Sequence, residues 1–349
     1  MTGEIMAAVL ARMAEEELDA LVLRPSPDMR YVAGRDADGF LVLVPGLPPG
    51  FAADAAAAAA LIPASASRVG VDAQMRAHEL FVLRVDADLV LASAVLDPMR
   101  RRKRPEEIAA IERAVAVTDR VMAAARELSW FGATERDTAH RLSAAALAAE
   151  PPPAGRSFPG SHGAAGPLQA GEERVFVTVA AGENTARPDH LPSGRVINPG
   201  DAVCVRVSAR AGGYHARAGR AFVVAEPPED FEAVHAVLLA ARDAAAAAVR
   251  PGATAAEVDA AAWRVLDESG YGPYVTRGTG HGIGLEPREG PWLTAADRTV
   301  LAPGMTLVID PGIHVPDLYG ASVGDVVECT EIGSRTMNRA PRALHVLDP

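Results

Sequence analysis

The feature that most constrains this chain is an internal duplication. The stretch NPGDAVCVR (198–206) is echoed by APGMTLVID (302–310). In both, Pro-Gly precedes an alternating strand, so Arg206 and Asp310 each stand seven residues after the proline. Matching signals lie upstream of each copy. Pro105-Glu106-Glu107 and Pro228-Glu229-Asp230 each read as the opening of a helix. Gly132-Ala133-Thr134 and Gly252-Ala253-Thr254 each precede a second helix. Thr254 with Glu257 forms a capping box, and Thr134 with Asp137 approximates one. The period is too long for a solenoid. It implies two α-α-β halves about an approximate two-fold axis, with Arg206 and Asp310 facing one central site and forming a direct ion pair.

The strand holding Arg206 belongs to a hairpin. Val203, Val205 and Val207 alternate with Cys204, Arg206 and Ser208, the period of a strand with two different faces. Ala211-Gly212-Gly213 supplies the turn, and a second strand runs from Tyr214 to Val224. Arg206 and Arg217 thus sit on the two arms of one hairpin.

The 349 residues predict two domains, and an apolar content of 49% is enough for sizeable cores. Residues 1–98 read as a small α/β unit: an amphipathic helix, then strands in DALVLRP, GFLVLVPG and RVGVDAQ. A basic knot and Pro105 mark the junction to a second domain, 99–349. A net charge of −11 argues against a nucleic-acid partner. The N-terminus is broken by acids and lacks a basic leader, and FAADAAAAAALIPA is too short to span a membrane. The two cysteines make no disulfide framework, which points to a reducing cytoplasm.

Five stretches taken in order resemble one family: RRRKRPEEIAAIERA, VAAGENTARPDHLP with His190, GTGHGIGLEPREGP with His281, LVIDPGIHV, and GASVGDVVECT. They are similar to the prolidase, aminopeptidase P and creatinase family. The fold class this implies is mixed α/β (α+β): a small creatinase-like N-terminal domain, then a pita-bread domain of two pseudo-symmetric halves. The family's metallopeptidases hold two divalent metals between the halves. Carried over by that resemblance, the ligand positions fall on Arg206, Arg217, His281, Asp310 and Gly324. Arg288 stands where the family has a histidine before its Glu-x-Pro, here Glu289. His190 resembles a substrate-handling histidine, and Arg220 matches a frequent family arginine.

Guanidinium has no lone pair to give a metal, and two such cations repel a dication. His281 with Asp310 is too small a donor set. Asp325, next to Gly324, points to the opposite face of its strand and cannot replace the missing ligand. The expectation is therefore no metal and no cofactor. It assigns His190, His281 and Asp310 to catalysis, and Arg206, Arg217, Arg220, Arg288 and Glu289 to a small anionic or zwitterionic ligand. The leading reading is a metal-independent C–N bond hydrolase of the creatinase type, with a carboxylate-bearing substrate. Its rivals are an inactive pseudo-peptidase that binds a ligand or partner, and an ordinary Xaa-Pro peptidase. In the bland reading, the hairpin arginines only fill the space left by the metals. The resemblance also implies a homodimer.

Overall fold

The computed structural model describes residues 3–83, 86–148 and 173–347. The chain divides into two compact units, Met1–Arg100 and Arg101–Pro349.

The first unit is a mixed sheet with helices. Its elements are α1 (Gly3–Glu15), β1 (Ala20–Leu23), α2 (Pro27–Ala33), β2 (Phe40–Leu43), β3 (Gly50–Ala52), α3 (Ala55–Ala59), β4 (Arg68–Val71), α4 (Ala77–Leu83), β5 (Asp88–Leu91) and α5 (Ser93–Arg101). The sheet order is β3-β2-β1-β4-β5. β1, ALVL, is buried along its whole length, as an apolar central strand should be. Ser26 caps α2 through its side chain, with Pro27 in the first turn, where its missing N–H costs nothing.

The second unit opens with α6 (Pro105–Glu127) and α7 (Glu135–Ala148). Pro105 begins α6 as expected, and Glu107 reaches back to the Arg104 N–H at 3.1 Å. There follow β6 (Arg174–Ala181), a 3-10 turn (Gly182–Ala186), β7 (Ala202–Ala211) and β8 (Tyr214–Val224). The next helices are α8 (Phe231–Ala248) and α9 (Ala255–Glu268). α8 starts after Pro228-Glu229-Asp230 rather than on it, because Asp230 takes a left-handed conformation (φ 61°) at the helix cap. The Thr254–Glu257 capping box opens α9 as read. The chain ends in β9 (Gly280–Gly282), β10 (Glu289–Leu293), β11 (Thr306–Ile309), β12 (Gly312–Val315), β13 (Tyr319–Ser322), β14 (Asp325–Thr330), β15 (Gly333–Thr336) and β16 (His345–Leu347).

These strands form sheets ordered β16-β8-β7-β6 and β10-β9-β11-β14-β15, with β12 and β13 as a separate hairpin. Thr134 bridges Val196, and Thr254 bridges Val300 in a matching place. Gly219 bridges Gly324, so β8 touches the turn between β13 and β14. The β7–β8 turn is Gly212-Gly213, both with positive φ, the backbone a two-residue hairpin needs.

The hairpin register places Arg206 opposite Gly219 and Ser208 opposite Arg217. Arg206 and Arg217 therefore share a face, diagonally related. The other face carries Val203, Val205 and Val207 into a core with Val121, Trp130, Leu142, Val179 and Phe222. Trp130 is fully buried, donates its indole N–H to the Ala125 carbonyl at 2.9 Å and stacks on Phe222 at 5.8 Å. Trp130→Ala leaves a large cavity behind the hairpin. The expected cost is about 3–5 kcal/mol of stability, read from the shift in denaturant midpoint.

Candidate functional site

The apolar face of β7 and β8 is anchored in the core, so their opposite face presents arginines. Arg206 is 8% exposed. Its Nε donates to Ser322 Oγ at 3.1 Å and its Nη1 to the Pro188 carbonyl at 2.7 Å, while its Nη2 is buried with no partner. The expected Arg206–Asp310 ion pair does not form. Arg217 Nη2 instead lies 3.7 Å from Asp310 Oδ2, a loose pair. The cause is geometric: the residue across from Arg206 is Gly219, with no side chain to hold it, and Ser322 and Pro188 capture the guanidinium.

Asp310 follows β11, its N–H held by the Thr279 carbonyl at 2.8 Å. Its Oδ1 is buried and unpartnered. A Cβ at Gly324 would sit 2.8 Å from that oxygen, so the Asp310 carboxylate occupies the place a side chain at 324 would start from. His281, in β9, is buried beside Trp292, with ring centroids 6.1 Å apart. Its Nδ1 lies 2.8 Å from the Gly282 carbonyl, which only accepts, so this nitrogen carries the proton. Burial, with Arg217 and Arg288 nearby, pushes the His281 pKa down to about 4.

The remaining expected residues separate. Arg288 is exposed and makes no hydrogen bond or ion pair among the described residues. Glu289 Oε1 pairs with Lys103 Nζ at 2.7 Å, both side chains largely buried. Arg220 points away from the cleft. Its nitrogens donate to the carbonyls of Gly219, Gly324, Ala340 and Pro341 and to Asp325, which leaves none for a ligand. Asp325 is fully buried and also meets Arg242 (3.0 Å) and Arg342 (2.6 Å). Glu289 and Arg220, expected at the ligand, are thus engaged within the fold. Asp325 lies on the opposite face from Gly324's neighbours in the cleft, as strand alternation requires.

His190 is held by a residue that sequence reasoning missed. Glu135, at the start of α7, is completely buried, and its two oxygens accept five hydrogen bonds: from Ala181 N, Asn184 Nδ2, Ser193 N, Ser193 Oγ and the His190 ring at 2.9 Å. Burial alone would raise its pKa. The bonds from Ser193, His190 and Asn184 outweigh that and hold the carboxyl below its ordinary value. Glu135 thereby ties down residues 181–193, including the Pro188 carbonyl that Arg206 uses. Two more residues escaped notice: Arg277, which donates to that same carbonyl at 3.3 Å, and His314 on β12.

The residues do not fit the pair of metals that the fold's metallopeptidases hold. Of the five ligand positions only His281 and Asp310 offer a lone pair, and Arg217 stands against Asp310. No group of three or more His, Cys, Asp or Glu suited to a metal ion occurs among the described residues.

The profile of metallopeptidase family M24 matches residues 109–331. The chain belongs to family M24. It has that family's pita-bread fold, of the prolidase and aminopeptidase P type. Among M24 relatives, the probable dipeptidase PepE of Mycobacterium bovis is 38% identical over 259 residues, covering 74% of this chain and 64% of that protein. The Xaa-Pro dipeptidase of Pyrococcus furiosus is 32% identical over 251 residues, 72% of this chain and 66% of the relative. The crystal structure of dipeptidase PepE from Mycobacterium ulcerans superposes with a TM-score of 0.86 at 31% identity, covering 99% of this chain and 98% of the other. The prolidase from Pyrococcus horikoshii gives 0.86 at 24% identity, with 98% and 100% coverage, and this likeness concerns the fold alone.

Two outcomes test the buried charged and titratable groups in and behind this M24 cleft. Asp325→Ala removes the carboxylate that meets the buried Arg220 and Arg242 guanidiniums and the half-buried Arg342, and is expected to cost about 3–5 kcal/mol in chemical denaturation. Burial, with Arg206 and Arg277 nearby, lowers the His314 pKa from 6.5 to about 4. The unfolded chain therefore binds this proton first. The stability that neutral His314 allows is whole above pH 6.5 and is lost as pH falls toward 4. His314→Phe should flatten the acid limb of the stability curve by up to about 1.4 kcal/mol per pH unit in that window. An unchanged limb would show that His314 titrates normally.

Proposed function

We infer that this M24 chain uses its cleft to bind a small carboxylate-bearing or zwitterionic ligand, without metallopeptidase chemistry. The observation that carries this reading is the pair Arg206 and Arg217 on one hairpin face, where the fold's metallopeptidases place carboxylates. Fixed cations attract and fork carboxylate oxygens, and they repel metal ions. Arg217 and the exposed Arg288 form the rim that steers an anion inward, against an overall charge of −11. Asp310 supplies the acceptor for an N–H or ammonium group.

The names of the relatives point instead to dipeptide hydrolysis, and the donor set opposes a metal-dependent route to it. A second reading, metal-independent C–N hydrolysis, draws support from His190, whose ring is oriented by a buried carboxylate as a proton-transfer histidine would be. Dipeptide cleavage without added metal that disappears in His190→Ala would favour it, and equal rates in both proteins would sink it.

The same proposal takes residues 1–98 as a creatinase-like domain and 99–349 as the pita-bread domain of two related halves. The matched Thr134 and Thr254 bridges support the duplication. It also takes the protein as a cytoplasmic homodimer. Both cysteines are buried and unpaired, and no helix among the described residues is long and apolar enough to cross a membrane. Light scattering should then give twice the chain mass.

Titration calorimetry tests the binding reading, with acetate and N-acetylglycine set against acetamide and N-acetylglycine methyl ester. The carboxylates are expected to bind and the neutral analogues not to. Equal behaviour of the two sets, or no binding at all, would overturn it.

A further inference from the structure

Two like charges converge on one oxygen at the edge of the hairpin. Arg206 Nη1 and Arg277 Nη2 both donate to the Pro188 carbonyl, at 2.7 and 3.3 Å. A neutral carbonyl satisfies hydrogen bonds but neutralises neither guanidinium. The carboxylate within ion-pair distance of Arg277 is Asp189, at 3.5 Å and 93% exposed, where solvent screens it, and Asp310 acts on Arg277 from farther off. Among the described residues Arg206 has no carboxylate partner, and its buried Nη2 has no hydrogen-bond partner. An unpartnered, buried, charged donor is costly unless something else meets it.

The hairpin of β12 and β13 closes this corner. Gly312 pairs with Ser322 and His314 with Gly320, so all four lie along one ladder, and Ser322 is the residue that holds Arg206 Nε. The His314 imidazole lies across the two glycines. A Cβ at Gly312 would stand 2.7 Å from its Cε1, and one at Gly320 would stand 2.9 Å from its Cδ2. The ring is therefore seated by shape. It is 2% exposed, yet neither ring nitrogen has a hydrogen-bond partner. Side-chain packing fixes where it points and leaves its polar atoms unused. Asp310 Oδ1, also unpartnered, lies over Gly219, the residue opposite Arg206, and Ser322 Oγ lies over the same glycine.

The unused atoms in this corner are thus a guanidinium N–H, an imidazole with one donor and one acceptor, and a carboxylate oxygen. Their complement is a molecule with an oxyanion and an N–H close together. We propose that Arg206, Arg277 and His314 form the subsite for the ligand's carboxylate, and that Asp310 Oδ1 receives the adjacent N–H. The ligand class is then α-amino acids, N-acyl amino acids or the carboxyl terminus of a short peptide. The subsite rests on the ligand-binding reading above and deepens it by assigning the anion to Arg277 and His314. Arg217 and Arg288 remain rim charges. A planar carboxylate suits the corner because two guanidiniums approach it from different elements, β7 and the segment before β9. Each carboxylate oxygen then meets its own charged donor.

The test is calorimetric titration of the full-length protein with N-acetylglycine, using Arg277→Gln, His314→Phe and Arg288→Gln variants whose far-UV spectra match the parent. Arg277→Gln should weaken binding about tenfold or more, the scale of one charge-assisted hydrogen bond. His314→Phe should weaken it severalfold, and Arg277→Lys should recover part of the Arg277→Gln loss. Inorganic phosphate in the same series should bind more weakly than N-acetylglycine, because its tetrahedral oxygens do not match a planar fork with an N–H set beside it for Asp310. If the parent binds, and Arg277→Gln and His314→Phe bind as tightly as the parent, the subsite is wrong while the ligand-binding reading stands. If Arg288→Gln alone loses affinity, the carboxylate sits at the rim and the subsite is likewise wrong. If the parent binds no carboxylate, the ligand-binding reading itself fails and the subsite fails with it.

Discussion

The cleft is organised by the place of one carboxylate. Asp310 lies over Gly219 and Gly324, where the absence of side chains lets its oxygen approach the bridged backbones. That placement fills the room a side chain at 324 would need, and it leaves Arg217 as the nearest cation to the second carboxylate oxygen. Arg206, relieved of Asp310, turns to Ser322 and Pro188. The result is a site with several fixed positive charges and one buried negative charge, in a protein that is acidic overall. Coulomb energies between such groups are large enough in a partly desolvated cleft to decide what enters. This arrangement is what supports the proposed preference for an oxyanion over a dication.

Around the cleft, charge is spent on structure. The Asp325 carboxylate gathers Arg220, Arg242 and Arg342 on the far side of the strand from the cleft. Glu135 gathers five donors and thereby fixes the position of the Pro188 carbonyl relative to β7. Lys103 and Glu289 form a further enclosed pair. Each of these carboxylates has its hydrogen-bonding capacity largely used, the condition under which buried charge is tolerated. Among the buried side-chain atoms without a hydrogen-bond partner in the described residues, Arg206 Nη2, Asp310 Oδ1 and the His314 ring nitrogens lie around the cleft.

The hairpin was legible in the sequence from alternation and a Gly-rich turn, but the face shared by Arg206 and Arg217 was not: a turn read as Ala211-Gly212-Gly213 is one residue longer than the Gly212-Gly213 turn that forms, and one residue of register moves Arg217 to the other face. The displaced ligand set was legible too, since it needs only residue types at positions matched to the family. The Arg206–Asp310 pair was not. Matched positions in two repeats place Cα atoms, and a long guanidinium then goes to whichever acceptors surround it, here Ser322 and Pro188. Arg220 and Glu289 were assigned to a ligand because their partners, Asp325 with the 340–341 carbonyls and Lys103, come from distant parts of the chain. Glu135 sits in an ordinary helix start, and its role depends on contacts with residues 46 to 58 positions away. His314 was not legible either: Asp310-Pro311 interrupts the strand, and β12, which carries His314, pairs in a separate hairpin, so alternation along IDPGIHV does not relate the two side chains.

The most direct test of the account is a manganese titration of the purified, chelator-treated protein, followed by calorimetry and by elemental analysis after desalting. The account predicts no binding in the micromolar range and less than about 0.1 metal ion per chain retained, because two guanidiniums and a glycine replace three of the five ligands. One or two manganese ions held per chain, lost on substituting His281 or Asp310, would contradict it.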